Sequence, residues 1–139
     1  MGLRPEGKTM GTQENIDLVR RGYEAFSSGD MTTLGPLFAK DAVWSTPGSG
    51  AVAGVSNGRD AILARFGELF TRSHGTLTVN VTELMAADGR VVALQHVHGE
   101  RDGKVLDENQ VNVFTVEDGV VREVEQFLPD SAADDAFWE

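Results

Sequence analysis

Three Asp-Gly pairs divide the second half of the chain, at Asp88-Gly89, Asp102-Gly103 and Asp118-Gly119. This dipeptide suits the two-residue turn of a β-hairpin, because both central residues of that turn need a positive φ. The runs before, between and after the pairs are extended, and the first of them alternates apolar and polar residues from Leu77 to Val81. The pattern predicts an antiparallel meander of four strands, at about 76–86, 90–100, 104–116 and 120–128.

The first half of the chain follows a helical period instead. The first helix is predicted to begin with Thr12 as its cap and to end at Gly29. Its apolar face consists of Ile16, Val19, Tyr23 and Phe26. Asp30 is expected to cap a shorter helical segment that carries Leu34, Leu37 and Phe38. A third helix follows a cap at Ser56 or Asn57 and carries Ile62, Phe66, Leu69 and Phe70. Between the second and third helices, the residues predict a short strand at 42–45 and a mobile loop over 47–58.

These elements predict an α+β fold in which three N-terminal helices cover the concave face of a curved antiparallel sheet. Long strands in a four-stranded sheet twist and curl, so the sheet and helices should enclose a cone-shaped pocket. A short last helix, Ser131 to Trp138, is expected at the pocket mouth or against a neighbouring subunit. Three glycines and a proline among the first 12 residues indicate a disordered tail over 1–12, followed by one domain over 13–139.

The composition narrows the range of partners. The 12 Lys and Arg against 22 Asp and Glu give a net charge of −10, which disfavours nucleic acid and anionic membranes as partners. The absence of cysteine excludes a disulfide framework and a thiolate nucleophile. No apolar run reaches the roughly 20 residues of a membrane-spanning helix, and the N-terminus lacks the apolar stretch of a secretory signal. We therefore expect a cytoplasmic protein that binds neither nucleic acid nor membrane.

Several stretches carry a recognisable pattern. In the first half these are Tyr23 to Asp30 (YEAFSSGD), Leu37 to Trp44 (LFAKDAVW), Pro47-Gly48, Gly54 and Gly58 to Ile62 (GRDAI). In the second half they are Val111 to Glu123 (VNVFTVEDGVVRE), Phe127 and Asp130. Together they resemble the SnoaL-like group of the nuclear transport factor 2 superfamily, over roughly residues 13–138. The resemblance implies the cone-shaped fold strongly and an activity weakly, because this superfamily includes isomerases, cyclases, dehydratases, epoxide hydrolases and members that only bind.

Ketosteroid isomerase belongs to the same superfamily, and its three functional positions can be located in this sequence. That enzyme uses a tyrosine and a protonated aspartate as oxyanion donors and a second aspartate as base. The resemblance places these positions at Gly22, Asn112 and Thr46. Because all three residues differ from the isomerase pattern, we expect the protein not to perform ordinary ketosteroid isomerisation.

The resemblance also indicates which side chains face the pocket. Strand parity places Gln110, Asn112 and Phe114 on one face, and the resemblance turns that face inward. A buried amide needs a hydrogen-bond partner, so Asn112 is expected to contact a ligand or water, or to join a network with Gln110 or Gln126. The other predicted ligand-binding residues are Tyr23, Phe26, Trp44, Thr46, Phe66, Gln126 and Leu128. Ordinary core packing is an alternative explanation for the aromatic residues among them.

Two histidines and an aspartate are the other candidates for chemistry. His96 and His98 lie two residues apart on one strand and therefore share a face. If that face is inward, His98 can act as a general base; if it is outward, both rings lie in a subunit interface or in solvent. Asp130 matches a position where this group often has an acid, and it also precedes a helix that it can cap. No metal site and no cofactor are predicted.

Two functional hypotheses follow. In the first, the protein is a cofactor-independent cyclase, isomerase or dehydratase for a small hydrophobic cyclic metabolite. His98 or Asp130 would then move the proton, while Gln110 and Asn112 polarise a carbonyl. In the second, the protein binds such a molecule without catalysis. Both hypotheses favour an uncharged ring compound over a nucleotide or sugar phosphate, because no phosphate-binding glycine loop precedes a helix.

The outer face of the sheet predicts a homodimer. β-branched residues on that face would otherwise lie in water, and pairing of two sheets would cover them. The residues assigned to this face are Val111, Val113, Val121, Glu123 and Glu125.

Overall fold

A computed structural model describes residues 11–139. The helices in this range are α1 (Thr12–Ser28), α2 (Met31–Leu34), α3 (Arg59–Arg72) and α4 (Ser131–Trp138), with a 3₁₀ turn at Gly35–Leu37 after α2. The strands are β1 (Phe38–Thr46), β2 (Gly54–Asn57), β3 (Thr78–Ala87), β4 (Arg90–Arg101), β5 (Lys104–Glu117) and β6 (Val120–Phe127). Residues 1–10 of the predicted tail lie outside the described residues, and Thr12 already belongs to α1.

The strands form one mixed sheet in the order β2-β1-β6-β5-β4-β3. The predicted four-stranded meander is confirmed as β3 to β6, with strand ends within one or two residues of those expected. The prediction of a wholly antiparallel sheet was wrong, because β1 pairs with β6 in parallel. The predicted loop over 47–58 also contains a strand, β2, which pairs antiparallel with β1. Hairpin signals could not reveal either pairing, because neither the β1–β6 pair nor the β1–β2 pair is closed by an Asp-Gly turn.

The three Asp-Gly turns have the backbone that their sequence predicts. Asp88, Asp102 and Asp118 have φ values of 52°, 51° and 53°, and the glycine after each aspartate also has a positive φ. Positive φ at both central residues is the conformation of a type I′ turn, whose twist matches that of the flanking strands. These turns fix the register of β3 to β6, and the register determines which side chains of these strands face the inside of the sheet.

The helix ends agree with the sequence in part. Gly29 ends α1 with φ 72°, and the Asp30 carboxylate accepts a hydrogen bond from Thr33 N at the start of α2. The expected Thr12 cap is one residue late, because Gly11 occupies that position. Similarly, Gly58 rather than Ser56 or Asn57 precedes α3. The second helical segment stops earlier than expected, since Phe38 begins β1.

The core lies between the helices and the concave face of the sheet. Alternate residues of β4 are buried on this face, at Val91, Ala93, Gln95 and Val97. In β6 the alternation changes between Val121 and Glu123, where the pairing with β5 shifts register. Val121 is therefore buried at 3% exposure, and its assignment to the outer face was wrong. Among the described helices, none is long and apolar enough to cross a membrane.

Candidate functional site

One cavity opens between α1, α3 and the concave face of the sheet, with a volume of about 940 Å³ including its mouth. Its wall is largely aromatic. Trp44 packs edge-on against Phe66 and Phe114, with ring centroids 5.2 Å and 6.4 Å away. Phe26 and Trp138 complete the aromatic lining, and the wall can therefore accept a flat apolar ring.

A row of three glutamines crosses the inner face of the sheet on neighbouring strands: Gln95 on β4, Gln110 on β5 and Gln126 on β6. Nε2 of Gln95 and Nε2 of Gln126 both donate to Oε1 of Gln110, at 2.8 Å and 3.1 Å. The antiparallel register places Gln95 directly opposite Gln110. We call these residues the glutamine row; each is buried, and each relies on another for a hydrogen bond.

Two residues extend the network at the α1 side of the cavity. The Tyr23 hydroxyl donates to Oε1 of Gln95 at 2.7 Å, and it accepts from Nδ2 of Asn112 at 3.0 Å. Burial raises the pKa of Tyr23, against the opposing effect of the Asn112 hydrogen bond, so the phenol stays neutral. Asn112 Nδ2 also donates to Gln95 at 3.2 Å, whereas Asn112 Oδ1 is buried without a partner among the described residues. The site therefore contains one free amide acceptor.

At the opposite end of the glutamine row lies a cation. Nη2 of Arg65 donates to Thr46 Oγ1 at 2.8 Å and to Gln126 Oε1 at 3.3 Å. The guanidinium carbon lies 5.2 Å from the centre of the Trp44 ring, within the range of a cation–π contact. Burial lowers the pKa of Arg65 to about 10, so the side chain is still charged at neutral pH.

A carboxyl group lines the cavity at the α4 side. Asp134 is 5% exposed, and its Oδ1 has no hydrogen-bond partner among the described residues. Burial, followed by the neighbouring Glu108 carboxyl, raises the pKa of Asp134 to about 8. At neutral pH this side chain is therefore protonated, and it can donate a proton to a molecule in the cavity.

The next residue holds α4 in place over the cavity. Oδ2 and Oδ1 of Asp135 accept from the backbone amides of Ser49 and Gly50, each at 2.9 Å. These amide hydrogen bonds lower the pKa of Asp135. The contact joins α4 to the loop between β1 and β2, which also lines the cavity at Pro47 and Val52.

The structure brings the ten predicted ligand-binding residues together on the cavity wall: Tyr23, Phe26, Trp44, Thr46, Phe66, Gln110, Asn112, Phe114, Gln126 and Leu128. Gly22 lies on the wall as well, so the three positions that the sequence resemblance assigned to the isomerase residues, Gly22, Thr46 and Asn112, line one cavity. Asn112 joins a side-chain network, but through Tyr23 and Gln95 rather than Gln110 or Gln126. A role of these residues in binding stays a prediction.

The two predicted proton-transfer residues do not lie on that wall. His98 is on the outer face of β4, because Gln95 and Val97 point inward there. Its ring contacts Asp107 at 2.9 Å and Glu100 at 3.3 Å, and these hydrogen bonds raise the pKa of His98. Asp130 is exposed and caps α4 by accepting from Ala133 N at 3.1 Å. Among residues 11–139, no group of three His, Asp or Glu could hold a metal ion.

Besides Asp135, three polar residues of the cavity wall were missed from the sequence: Arg65, Gln95 and Asp134. Each carried a periodic signal. Arg65 lies three residues after Ile62 on the apolar stripe of α3, and Asp134 lies three residues before Phe137 on that of α4. Gln95 has the strand parity of Val91 and Ala93. A polar residue at an inward position marks a site more reliably than the aromatic residues around it.

Comparisons with known proteins identify the family and the fold of the chain. Residues 19–124 match the SnoaL-like domain family. The uncharacterised protein Rv0034 of Mycobacterium tuberculosis is 37% identical over 125 residues, covering 89% of this chain and 95% of the relative. The structure of Bal32a, from a soil-derived mobile gene cassette, is 39% identical and superposes with a TM-score of 0.89, covering 92% of this chain and 98% of Bal32a.

A nuclear transport factor 2-like protein from Burkholderia xenovorans shares the fold at 23% identity. It superposes with a TM-score of 0.80, covering 94% of this chain and 99% of its own length. The expected fold class is thereby confirmed. With a family match over most of its length and relatives above one-third identity, the chain belongs to the SnoaL-like domain family.

Proposed function

We propose that the protein binds a small, mostly apolar cyclic metabolite in this cavity and performs cofactor-independent acid–base chemistry on it. The observation that carries the proposal is that two buried oxygen atoms of wall residues, Asn112 Oδ1 and Asp134 Oδ1, have no hydrogen-bond partner in the part of the chain that the structure describes. Buried polar atoms in folded proteins nearly always have hydrogen-bond partners. A ligand that is flat, apolar and equipped with a polar group would supply them.

Asp134 is the proposed proton-transfer group, in place of His98 and Asp130. Its protonated form can donate to a ligand oxygen on which negative charge develops, and its ionised form can accept a proton from an acidic carbon or hydroxyl. A pKa of about 8 suits both directions near neutral pH. Gln110 Nε2 donates to Glu108 and keeps a second N–H, whereas both N–H groups of Asn112 are engaged. Of the two predicted carbonyl-polarising amides, Gln110 is therefore the available donor.

Non-catalytic binding is the second candidate function. The glutamine row satisfies most of its own hydrogen bonds, as a purely structural network would. A binding protein would use the cavity in the same way but would need no proton transfer by Asp134. The two candidates therefore differ in the reactivity of a bound ketone, and they agree on its binding.

Proton exchange on 2-tetralone, a flat bicyclic ketone with acidic C–H groups, tests the proposal. In deuterated buffer near neutral pH, we expect the protein to accelerate deuterium incorporation beside the carbonyl, as followed by NMR. Asp134→Asn should lose about 10²-fold or more of that acceleration, the usual contribution of a general acid or base. Asp130→Asn is the matched control, because it removes a carboxylate from the same helix and asparagine still caps.

Binding is measured in parallel by thermal shift, with glucose 6-phosphate as the comparison compound. Stabilisation by 2-tetralone without accelerated exchange would reject catalysis of this proton transfer and favour the binding protein. Stabilisation by the sugar phosphate but not by the ketone would contradict both candidate functions.

A further inference from the structure

Arg65 is a charged group in the cavity that the proposed acid–base chemistry does not use. Among residues 11–139, no carboxylate oxygen lies within 4 Å of its guanidinium nitrogens, since every ion pair of the described chain involves other residues. Its neighbours are the neutral oxygens of Thr46 and Gln126 and the face of Trp44. Only Nη2 donates to them, and Nε is buried without a partner. The cation is thus held by dipoles and lacks a counter-charge.

This position is costly for a chain that only needs a folded core. Ile62, Phe66 and Leu69 form the inward stripe of α3, and Arg65 lies on the same stripe. Arg65 is half-buried, and withdrawing an unpaired charge from water even in part costs free energy that neutral hydrogen bonds and one aromatic face offset only partly. Arginine also has the planar donor geometry that suits a carboxylate, which a lysine lacks.

We infer that Arg65 forms an anion subsite beside Thr46, whose hydroxyl proton is already donated to Gln126, and that the ligand is an apolar ring compound carrying one carboxylate group. The inference rests on the proposed function, because it takes the ring from the aromatic wall and adds the acid at the Arg65 end. The sequence predicted an uncharged ligand, and this inference replaces that prediction with a ligand that carries one negative charge. Asp134, the proposed proton-transfer group, lines the same cavity from a different element, α4.

The subsite fits a carboxylate better than a phosphate. Arg65 is the one Arg or Lys among the residues that line the described cavity. The loop amides of Ser49 and Gly50, which could otherwise receive a phosphate oxygen, are taken by Asp135. A single cation balances one negative charge, and a dianionic phosphate would keep one charge uncompensated in a largely apolar cavity.

The test compares 2-naphthoate with its neutral isostere, 2-naphthamide, by isothermal titration at neutral pH. We expect the wild type to bind the acid about tenfold or more tightly than the amide, as a charge-assisted hydrogen bond predicts. Arg65→Met should lose this preference and still bind the amide, whereas Arg65→Lys should keep part of it. Arg20→Met, which removes an exposed cation from α1, is the matched control and should behave as the wild type.

The outcomes separate this inference from the function on which it rests. If neither compound binds the wild type, the proposed function itself is wrong. If the amide binds as tightly as the acid, or if Arg65→Met keeps the preference for the acid, the function stands and the anion subsite is rejected. Tighter binding of 2-naphthyl phosphate than of 2-naphthoate would overturn the choice of a carboxylate. Amide binding by Arg65→Met also shows that this variant is folded.

Discussion

Tyr23 and Gly22 illustrate how much one position on a helix changes the chemistry of a cavity. The sequence resemblance assigns the isomerase tyrosine to Gly22, and the structure shows that the adjacent Tyr23 brings a phenol to the cavity wall. That phenol gives its only proton to Gln95, however, and accepts another from Asn112. It is therefore not available as a donor to a ligand oxygen unless the Gln95 bond breaks.

We predict that the protein does not measurably isomerise a β,γ-unsaturated 3-ketosteroid. Thr46 has no basic form near neutral pH, and its oxygen already accepts from Arg65 and Trp44. The loss of one oxyanion donor alone typically costs about 10²–10³ in rate. An ultraviolet assay for the conjugated enone measures the reaction. Turnover well above buffer that disappears in Asp134→Asn would contradict the prediction and assign the missing base to α4.

Asp134 should also make stability depend on pH. Its pKa is raised by folding, from an ordinary value near 3.8 to about 8, so the folded state holds a proton that the unfolded state releases. The resulting stability is complete below the unfolded pKa and is lost as pH rises through about 8. At pH 5 we expect Asp134→Asn to be no more stable than the wild type. At pH 9, where the wild-type carboxyl is ionised in the folded state, we expect the variant to be the more stable protein by about 1–3 kcal/mol.

Urea unfolding of the two proteins at pH 5, 7 and 9 measures this difference. The control is Asp130→Asn, whose exposed carboxyl should leave the pH profile of the wild type unchanged. Parallel profiles for the wild type and Asp134→Asn would show that Asp134 is ionised throughout, and the proton-transfer role would lose its basis.

At the scale of elements, the attachment of α4 decides how closed the cavity is. Asp135 holds α4 to the loop after β1 through two backbone amides. The close approach requires glycine, because a Cβ on Gly50 would lie 3.0 Å from the Asp135 Cα. This loop also lines the cavity, so the same contact positions the helix and one side of the mouth.

Gly50→Ala should therefore loosen α4. The loop or the helix must shift, and hydrogen bonds to a charged carboxylate are worth about 1.5–3 kcal/mol. We expect a loss of stability of that order in urea unfolding, and faster amide hydrogen exchange over 133–138. The matched control is Gly67→Ala in α3, where a new Cβ has open space and helix propensity predicts a gain of up to about 1 kcal/mol. Unchanged exchange of α4 in Gly50→Ala would contradict the proposed attachment.

The sequence predicted elements best where the local signal was unambiguous. The Asp-Gly turns predicted three hairpins and their strand parity. Parity placed Gln110 and Asn112 on one face, and the family resemblance correctly turned that face inward. The parallel β1–β6 pair and the burial of Val121 were missed, because both depend on contacts distant in the chain and on a register shift. Arg65 was missed because a charged residue on a helix is usually solvated. Only the tertiary structure shows that this face of α3 borders a cavity.

For the whole molecule, the outer face of the sheet carries apolar residues that support the predicted homodimer. Val111 and Val113 are half-buried there, and Phe127, which pairs with Val111, is 47% exposed. An apolar patch of this kind on a sheet face is typical of a protein interface. We predict a dimer through this face, in which Glu123 and Glu125 lie at the exposed positions of β6.

Sedimentation at micromolar concentration measures the mass. The wild type should be a dimer, and Val113→Glu should be a monomer because it places a charge in the centre of the patch. Val55→Glu, at an equally apolar residue that is 60% exposed on edge strand β2, is the control and should stay dimeric. A monomeric wild type, or a dimer that survives Val113→Glu and dissociates in Val55→Glu, would reject this interface.

The central claim is that the cavity, rather than any outer surface, receives the ligand. Intermolecular nuclear Overhauser effects between 2-naphthoate and the methyl groups of labelled protein test it most directly. We predict effects to Val97, Leu106 and Leu128, which line the cavity, and none to Val111 and Val113 on the outer face. Effects confined to Val111 and Val113, or none to the cavity methyl groups at saturating ligand, would contradict the account.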